Sequence, residues 1–149
     1  MSYRGQKSFY YPINPDKYRG NPNNIICRSS WERKLARWCD TNPNVEWWQS
    51  EEKALWYKWR DGSAHRYYPD FSMCIQGQIW LVEVKPFSKT QKPKDISPKS
   101  KSKKKLQNYM ENVIEYQKNQ AKWKAATEYC ERNGWKFKIL TERELNIVY

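Results

Sequence analysis

The stretch IWLVEVK, residues 79–85, is an apolar run that contains a carboxylate at Glu83 and ends on Lys85. Alternate residues of a β-strand project to opposite faces, so Glu83 and Lys85 share one face while Val82 and Val84 share the other. An unpaired charge in a buried strand is costly unless it finds a partner or a metal ion. The pattern therefore predicts a strand with one face in the core and the other in a chemical site.

A hairpin predicted around Gly77 joins this strand to an earlier β-rich run, residues 65–76. We expect its turn at Gly77-Gln78. Counted outward from there, Asp70 and Glu83 approach each other but need a bulge or bend to lie fully opposite. Two carboxylates within about 4 Å repel and raise one pKa strongly unless a divalent cation lies between them.

Magnesium meets that requirement, because it takes oxygen ligands, often only one or two of them from protein carboxylates. Asp70 and Glu83 are therefore candidate metal ligands. Lys85 lies on the same face and can orient or deprotonate a water and contact a phosphate. A competing interpretation is an exposed strand edge with a cross-strand ion pair, which contributes about 0 to 1 kcal/mol.

The charge of the chain favours a nucleic-acid partner. The formal net charge is +12, and each Lys or Arg that neutralises a phosphate releases a counterion. Residues 85–105 contain nine lysines and one acid, Asp95. Lysine without arginine favours backbone contacts over base recognition, so we expect sequence-independent DNA binding. The candidate DNA-binding residues are Lys89, Lys92, Lys94, Lys99, Lys101, Lys103, Lys104 and Lys105.

Several other classes of protein and site are not expected. No window approaches the run of about 18 apolar residues that a membrane span needs, and the N-terminus lacks the apolar region of a signal peptide. We therefore expect an intracellular protein with no membrane partner. The four cysteines and the lone His65 lack zinc-ligand spacing, so no zinc site is expected and the cysteines are interpreted as buried thiols.

The chain of 149 residues fits one domain. The first 28 residues show no clear period and predict an irregular N-terminal arm, followed by a domain over residues 29–149 with a mobile basic loop at 86–105. The elements predicted in that domain are a helix over 30–41, a strand pair at 45–49 and 55–59, a helix over 106–133 broken near Lys118, Gly134 as its C-terminal cap, a strand over 135–140 and a Thr141–Glu144 capping box.

Pro69-Asp70, followed by Glu83-Val84-Lys85, matches the signature of the PD-(D/E)XK nucleases. With residues 29–32 (SSWE) upstream and the ending over 129–142, the chain resembles the TnsA-type transposon endonuclease branch. Over its full length it is also similar to the small head-completion nucleases of large contractile-tailed phages.

This resemblance implies an α/β restriction-endonuclease-like fold, with a central mixed sheet flanked by helices. It implies a magnesium-dependent endonuclease in which manganese can substitute. Asp70 and Glu83 match the metal carboxylates, the Val84 carbonyl is a further ligand, Lys85 matches the catalytic lysine, and Glu32 matches an acidic residue from the first helix. Glu32 also has a structural explanation, because it stands three residues after Ser29 in a capping box.

The resemblance also implies a biological setting. The enzyme would act on packaged DNA during phage head completion before the tail attaches, with head or neck proteins as partners. It would work in the host cytoplasm during assembly, with the virion as a second location. The alternative is a basic virion protein that binds or protects a DNA end without cutting it. Glu83 within an apolar run separates the two, because binding alone does not require that carboxylate.

Overall fold

The computed structural model of the protein describes residues 7–96 and 102–145. Its strands are β1 (Ser8–Tyr10), β2 (Ile25–Cys27), β3 (Val45–Ser50), β4 (Leu55–Lys58), β5 (Ala64–Tyr67), β6 (Phe71–Ile75), β7 (Gln78–Val84) and β8 (Lys136–Leu140). Its helices are α1 (Ser30–Thr41), α2 (Phe87–Thr90), α3 (Lys103–Asn133) and α4 (Glu142–Leu145), with a short 3-10 turn at Pro15–Lys17.

The central sheet is mixed and has the strand order β3-β6-β7-β8. The neighbours β3, β6 and β7 pair in antiparallel fashion, whereas β7 and β8 are parallel. A parallel neighbour requires a crossover, which the long helix α3 provides between β7 and β8. The predicted α/β domain with a central mixed sheet and flanking helices is confirmed.

Both faces of the sheet are covered. Val82 and Val84 pack in a core with α1, the β1–β2 pair and α4, whereas Leu81 packs in a second core with Trp123 of α3 and the β4–β5 pair. The expectation that one face of β7 forms core and the other only a chemical site is therefore wrong. The reason is α3, which lies over the face that contains Glu83 and buries that side chain.

The β6–β7 hairpin turns at Gln76-Gly77, one residue earlier than predicted. Both turn residues have positive φ, +48° and +84°, and Ile75 pairs with Gln78 across the turn. Positive φ at both central residues is the geometry of a two-residue turn that suits the twist of the flanking strands, and glycine adopts it without steric cost.

The predicted irregular arm instead contributes to the fold. Strands β1 and β2 pair in antiparallel fashion, and Tyr10 and Tyr18 are buried with their rings edge-on to Trp48. Asp40, fully buried in α1, accepts hydrogen bonds from the Tyr10 hydroxyl at 2.6 Å and from the Ile13 amide at 2.7 Å. Because these contacts link residues far apart in the chain, no local period indicates them.

Two further element predictions are wrong. The run 65–76 divides into β5, which pairs with β4, and β6, which pairs with β3, so the predicted pairing of 45–49 with 55–59 does not occur. Buried Pro69 lies between β5 and β6, and proline lacks the amide that a continuous central strand would use.

The basic segment 86–105 is also not a loop throughout its described part. It contains α2 and the first turn of α3, which Ser102 caps by accepting a hydrogen bond from the Lys105 amide. From that cap, α3 continues through Lys118 without a break.

The predictions for Gly134, for the Thr141–Glu144 capping box and for buried cysteines are confirmed. Gly134 ends α3 with φ +69°, and the Thr141 amide donates to Glu144 Oε2 at 2.8 Å at the start of α4. All four cysteines are buried. Across residues 7–96 and 102–145, no helix combines the length and apolarity needed to cross a membrane.

Candidate active site

The carboxylates of Asp70 and Glu83 form the centre of the candidate active site. Strands β6 and β7 pair Phe71 with Val82, so the next position outward in that register places Asp70 opposite Glu83. Residues directly opposite in an antiparallel pair have Cβ atoms about 4.5–5.5 Å apart. The expected bulge is not needed, because the turn lies one residue earlier than predicted.

Backbone amides at the ends of the two neighbouring strands, β7 and β3, donate hydrogen bonds to Asp70. The Val84 amide donates to Asp70 Oδ2 at 2.8 Å, which fixes the direction of the carboxylate. The Glu51 amide, just after β3, donates to the Asp70 carbonyl at 3.1 Å. Glu51 has a positive φ of 53°, so the chain turns sharply where it meets Asp70.

The electrostatics of Asp70 show which charged groups surround it. Burial raises the pKa of Asp70 well above its ordinary value, and the charges of Glu83 and Glu32 raise it further. The hydrogen bond from the Val84 amide and the charge of Lys85 act in the opposite direction. Accumulated negative charge of this kind is what a bound divalent cation offsets.

Glu83 lies beneath α3 and is only 6% exposed. Trp123 Nε1 of α3 approaches Glu83 Oε2 at 3.5 Å, a long hydrogen bond. Tyr67 is also buried, and its hydroxyl lies within reach of Glu83 and Trp123 but forms no hydrogen bond of normal geometry within the described residues. Burial raises the pKa of Tyr67, and the nearby charges of Glu83 and Asp70 raise it further.

Glu32 combines a structural role with proximity to Asp70. Its backbone amide donates to Ser29 Oγ at 3.2 Å and its carboxylate accepts from the Arg28 amide at 3.3 Å, so the predicted capping interaction is present. Burial raises the pKa of Glu32 to about 7, although the Arg28 hydrogen bond opposes the shift. Its catalytic role remains a prediction.

Lys85 stands at the end of β7, partly buried. Its amide donates to the Leu140 carbonyl of β8 at 3.0 Å, which fixes the backbone, and its charge lowers the pKa of Asp70. The structure therefore brings Asp70, Glu83 and Lys85 to one end of the central sheet. Their individual roles remain predictions.

Magnesium binding at this place remains a prediction. Within the described parts of the chain, no three Asp, Glu, His or Cys side chains group closely enough to hold a metal ion. A cation would therefore depend on Asp70 and Glu83 together with other oxygens, of which the Val84 carbonyl is the predicted one. Magnesium commonly uses one or two protein carboxylates and completes its shell with water and phosphate.

The predicted DNA-binding lysines follow β7 in the chain. Lys99 and Lys101 are outside the described residues. The other six are exposed: Lys89, Lys92, Lys94, Lys103, Lys104 and Lys105. The last three occupy the first turn of α3, where the helix dipole disfavours positive charge unless an anion lies nearby.

Sequence reasoning missed Tyr67, Trp123 and Glu51 at this site. Tyr67 and Trp123 lie in apolar positions typical of core residues, and the contact of Trp123 with Glu83 spans 40 residues of sequence. No pattern in the chain indicated that contact. The one available signal was the short sequence separation between Tyr67 and Asp70. A residue three positions before a predicted ligand lies close to the same site.

Comparison with known proteins agrees with this geometry. Residues 42–142, which include Asp70, Glu83 and Lys85, match the model of the TnsA-like endonuclease N-terminal domain. The chain is also 36% identical over 144 residues to the head completion nuclease of Enterobacteria phage T4, an alignment that covers 95% of this chain and 93% of that protein. No solved structure matches the chain. The chain therefore belongs to the TnsA-like endonuclease family.

Proposed function

We propose that this protein is a metal-dependent DNA endonuclease that acts on packaged DNA during phage head completion, before the tail attaches. The main supporting observation is the placement of Asp70 opposite Glu83, with Lys85 at the same strand end. Membership of the TnsA-like endonuclease family supports the nuclease class. The name of the phage T4 relative supports the setting in head completion.

Magnesium is the proposed cofactor, and manganese should substitute for it. Asp70, Glu83 and the Val84 carbonyl would hold the ion, which when bound supplies positive charge against the scissile phosphate and acidifies water. The raised pKa of Asp70 supports this assignment, because it comes first from burial and then from the nearby charges of Glu83 and Glu32, both of which a bound cation would counter.

The remaining chemistry falls to the side chains around the pair. Hydrolysis requires a water oxygen to attack phosphorus while the bond to the leaving oxygen breaks and that oxygen takes up a proton. Lys85 orients the attacking water and contacts a phosphate oxygen, for which its ammonium group is suited. Trp123 restrains Glu83 from above, and Glu32 adds to the acidic surroundings of Asp70.

The proposed partners follow from charge and from the relative. The net charge of +12 and the exposed lysines beyond β7 favour DNA binding through phosphates, without sequence preference. Head or neck proteins are the proposed assembly partners, and the host cytoplasm during assembly is the proposed place of action.

Cleavage by the Glu83→Ala variant tests the proposal. We expect wild-type protein to cut linear, nicked or branched DNA only with magnesium or manganese, and Glu83→Ala to lose about 100-fold or more of that activity while DNA binding is largely kept. Glu131→Ala, which removes an exposed carboxylate of α3, is the matched control and should cut normally. Absence of metal-dependent cleavage by the wild type would favour the alternative, a basic virion protein that only binds a DNA end.

A further inference from the structure

We propose that a pocket between α3 and the segment after β7 binds one unstacked nucleotide of the DNA substrate, beside the candidate active site. The inference rests on the proposed function, because it names a substrate contact of the same enzyme. The pocket has a volume of about 410 Å³. Its walls include Lys89, Lys94, Lys105, Tyr109, Tyr116 and Asn119.

Asn119 is the residue that distinguishes this pocket from a surface depression. It lines the pocket but is only 4% exposed, and its Nδ2 donor has no hydrogen-bond partner within the described residues. A buried amide without a partner lowers stability, and such groups are rare in native proteins without a further reason. Asparagine is also a poorer helix former than leucine, so the position in α3 is not explained by the fold.

The size and lining of the pocket suit a nucleotide. Its volume falls within the range of about 300–1,000 Å³ that is typical of small-ligand sites, and a duplex cannot enter such a recess. Lys94 and Lys105 supply positive charge for a phosphate, while Tyr116 offers an aromatic surface for a base. Asn119 Nδ2 can donate to an acceptor on a base edge, as asparagine does in nucleic-acid recognition.

Two contacts join the pocket walls. The Tyr109 hydroxyl of α3 donates to Asp95 Oδ1 at 2.7 Å, and Lys89 Nζ lies 3.9 Å from Glu115 Oε2 of α3. These contacts use the acids Asp95 and Glu115, so they leave Lys94 and Lys105 as the cations available to a phosphate.

Residues in both walls of the pocket lie close in the chain to residues of the candidate active site. Asn119 precedes Trp123 by one helical turn, about 6 Å along the axis, and Trp123 contacts Glu83. The opposite wall begins at Ser88, three residues after Lys85. A nucleotide in the pocket would therefore adjoin the phosphate that the enzyme cuts.

Binding of a single-stranded oligonucleotide with one 2-aminopurine, in chelating buffer, tests the inference. We expect Asn119→Leu to weaken binding about tenfold and to diminish the fluorescence change of the aminopurine, with Tm unchanged or raised. The matched control, Gln120→Leu, removes the neighbouring exposed amide and should bind like wild type. Binding by Asn119→Leu at wild-type strength, or a marked loss of Tm in that variant, would overturn the inference.

A second variant tests the phosphate contact independently of the amide. Lys105→Gln should lower the slope of log K against log salt by about 0.7, the value for one contact to a single strand. An unchanged slope would overturn the assignment of Lys105.

The inference and the proposed function fail in distinguishable ways, because binding is measured without metal and cleavage with it. If the wild type cuts DNA but Asn119→Leu binds normally, only the pocket is wrong. If binding depends on Asn119 but no DNA is cut with magnesium or manganese, only the nuclease proposal is wrong.

Discussion

Two buried tyrosines differ in what their hydroxyl groups contact. The Tyr10 hydroxyl donates to Asp40 Oδ2 at 2.6 Å, whereas the Tyr67 hydroxyl lies within reach of Glu83 and Trp123 but forms no hydrogen bond of normal geometry within the described residues. A hydrogen bond to a charged group contributes about 1.5–3 kcal/mol, and an unpaired buried hydroxyl is a net cost. Tyr67 therefore has a place in the site that stability alone does not explain.

Replacement of each tyrosine by phenylalanine separates these cases. Tyr10→Phe should lower the free energy of unfolding by about 1.5–3 kcal/mol, because Asp40 loses a donor. Tyr67→Phe should leave the free energy of unfolding unchanged or raise it slightly. Urea unfolding in chelating buffer measures both. A loss for Tyr67→Phe as large as that for Tyr10→Phe would mean that the Tyr67 hydroxyl has a stabilising partner.

For individual residues, the sequence indicated those that belong to a motif. It did not indicate those that approach the site only through tertiary packing. Asp70, Glu83 and Lys85 were indicated because strand alternation and hairpin counting act over short distances. Trp123 and Asn119 were not, because α3 crosses the sheet only in the folded chain and its stripe of apolar residues looks like ordinary core. Burial of an amide such as that of Asn119 leaves no trace in a local pattern.

Among the elements, the N-terminal segment depends on α1. Asp40 at the end of α1 is fully buried, and besides the two bonds already described it accepts from the Asn14 amide at 2.9 Å. Lys17 Nζ contacts the Asn42 carbonyl at 2.7 Å just beyond the helix. These bonds fix the segment so that Tyr10 and Tyr18 enclose Trp48.

Asp40→Ala should therefore release this segment from the core. We expect a loss of about 3 kcal/mol or more in the free energy of unfolding, because the buried Tyr10 hydroxyl and the partly buried Ile13 and Asn14 amides lose one acceptor group. Asp16→Ala, which removes an exposed acid of the same segment, should change it by less than about 0.5 kcal/mol. Similar values for the two variants in urea unfolding would show that the segment is not anchored through Asp40.

Helices were easier to predict than strand partners. The predicted helix 30–41 matches α1, because Ser29 caps it and its apolar residues recur at helical spacing. The run 65–76 looks like one strand, but the chain leaves β4 after Tyr67 and joins β3 and β7 after Pro69. Period-two alternation specifies which face a side chain occupies and not which strand lies alongside.

For the whole molecule, the net charge and the acidic candidate active site have opposite effects on a DNA phosphate. The net charge of +12 attracts DNA phosphates to the surface, but the acidic side chains of Asp70, Glu83 and Glu32 disfavour a phosphate at the end of β7 whenever they are ionised. A cation bound between Asp70 and Glu83 would reverse that local sign. Metal dependence is therefore expected of the approach of the scissile phosphate as well as of its hydrolysis.

The most direct test is the position of manganese in crystals of the wild-type protein, located by anomalous scattering. The account predicts a peak about 2.0–2.3 Å from carboxylate oxygens of both Asp70 and Glu83, and no peak there in Asp70→Asn crystals grown in the same way. Manganese bound only elsewhere, in a protein that cuts DNA with manganese, would contradict the account.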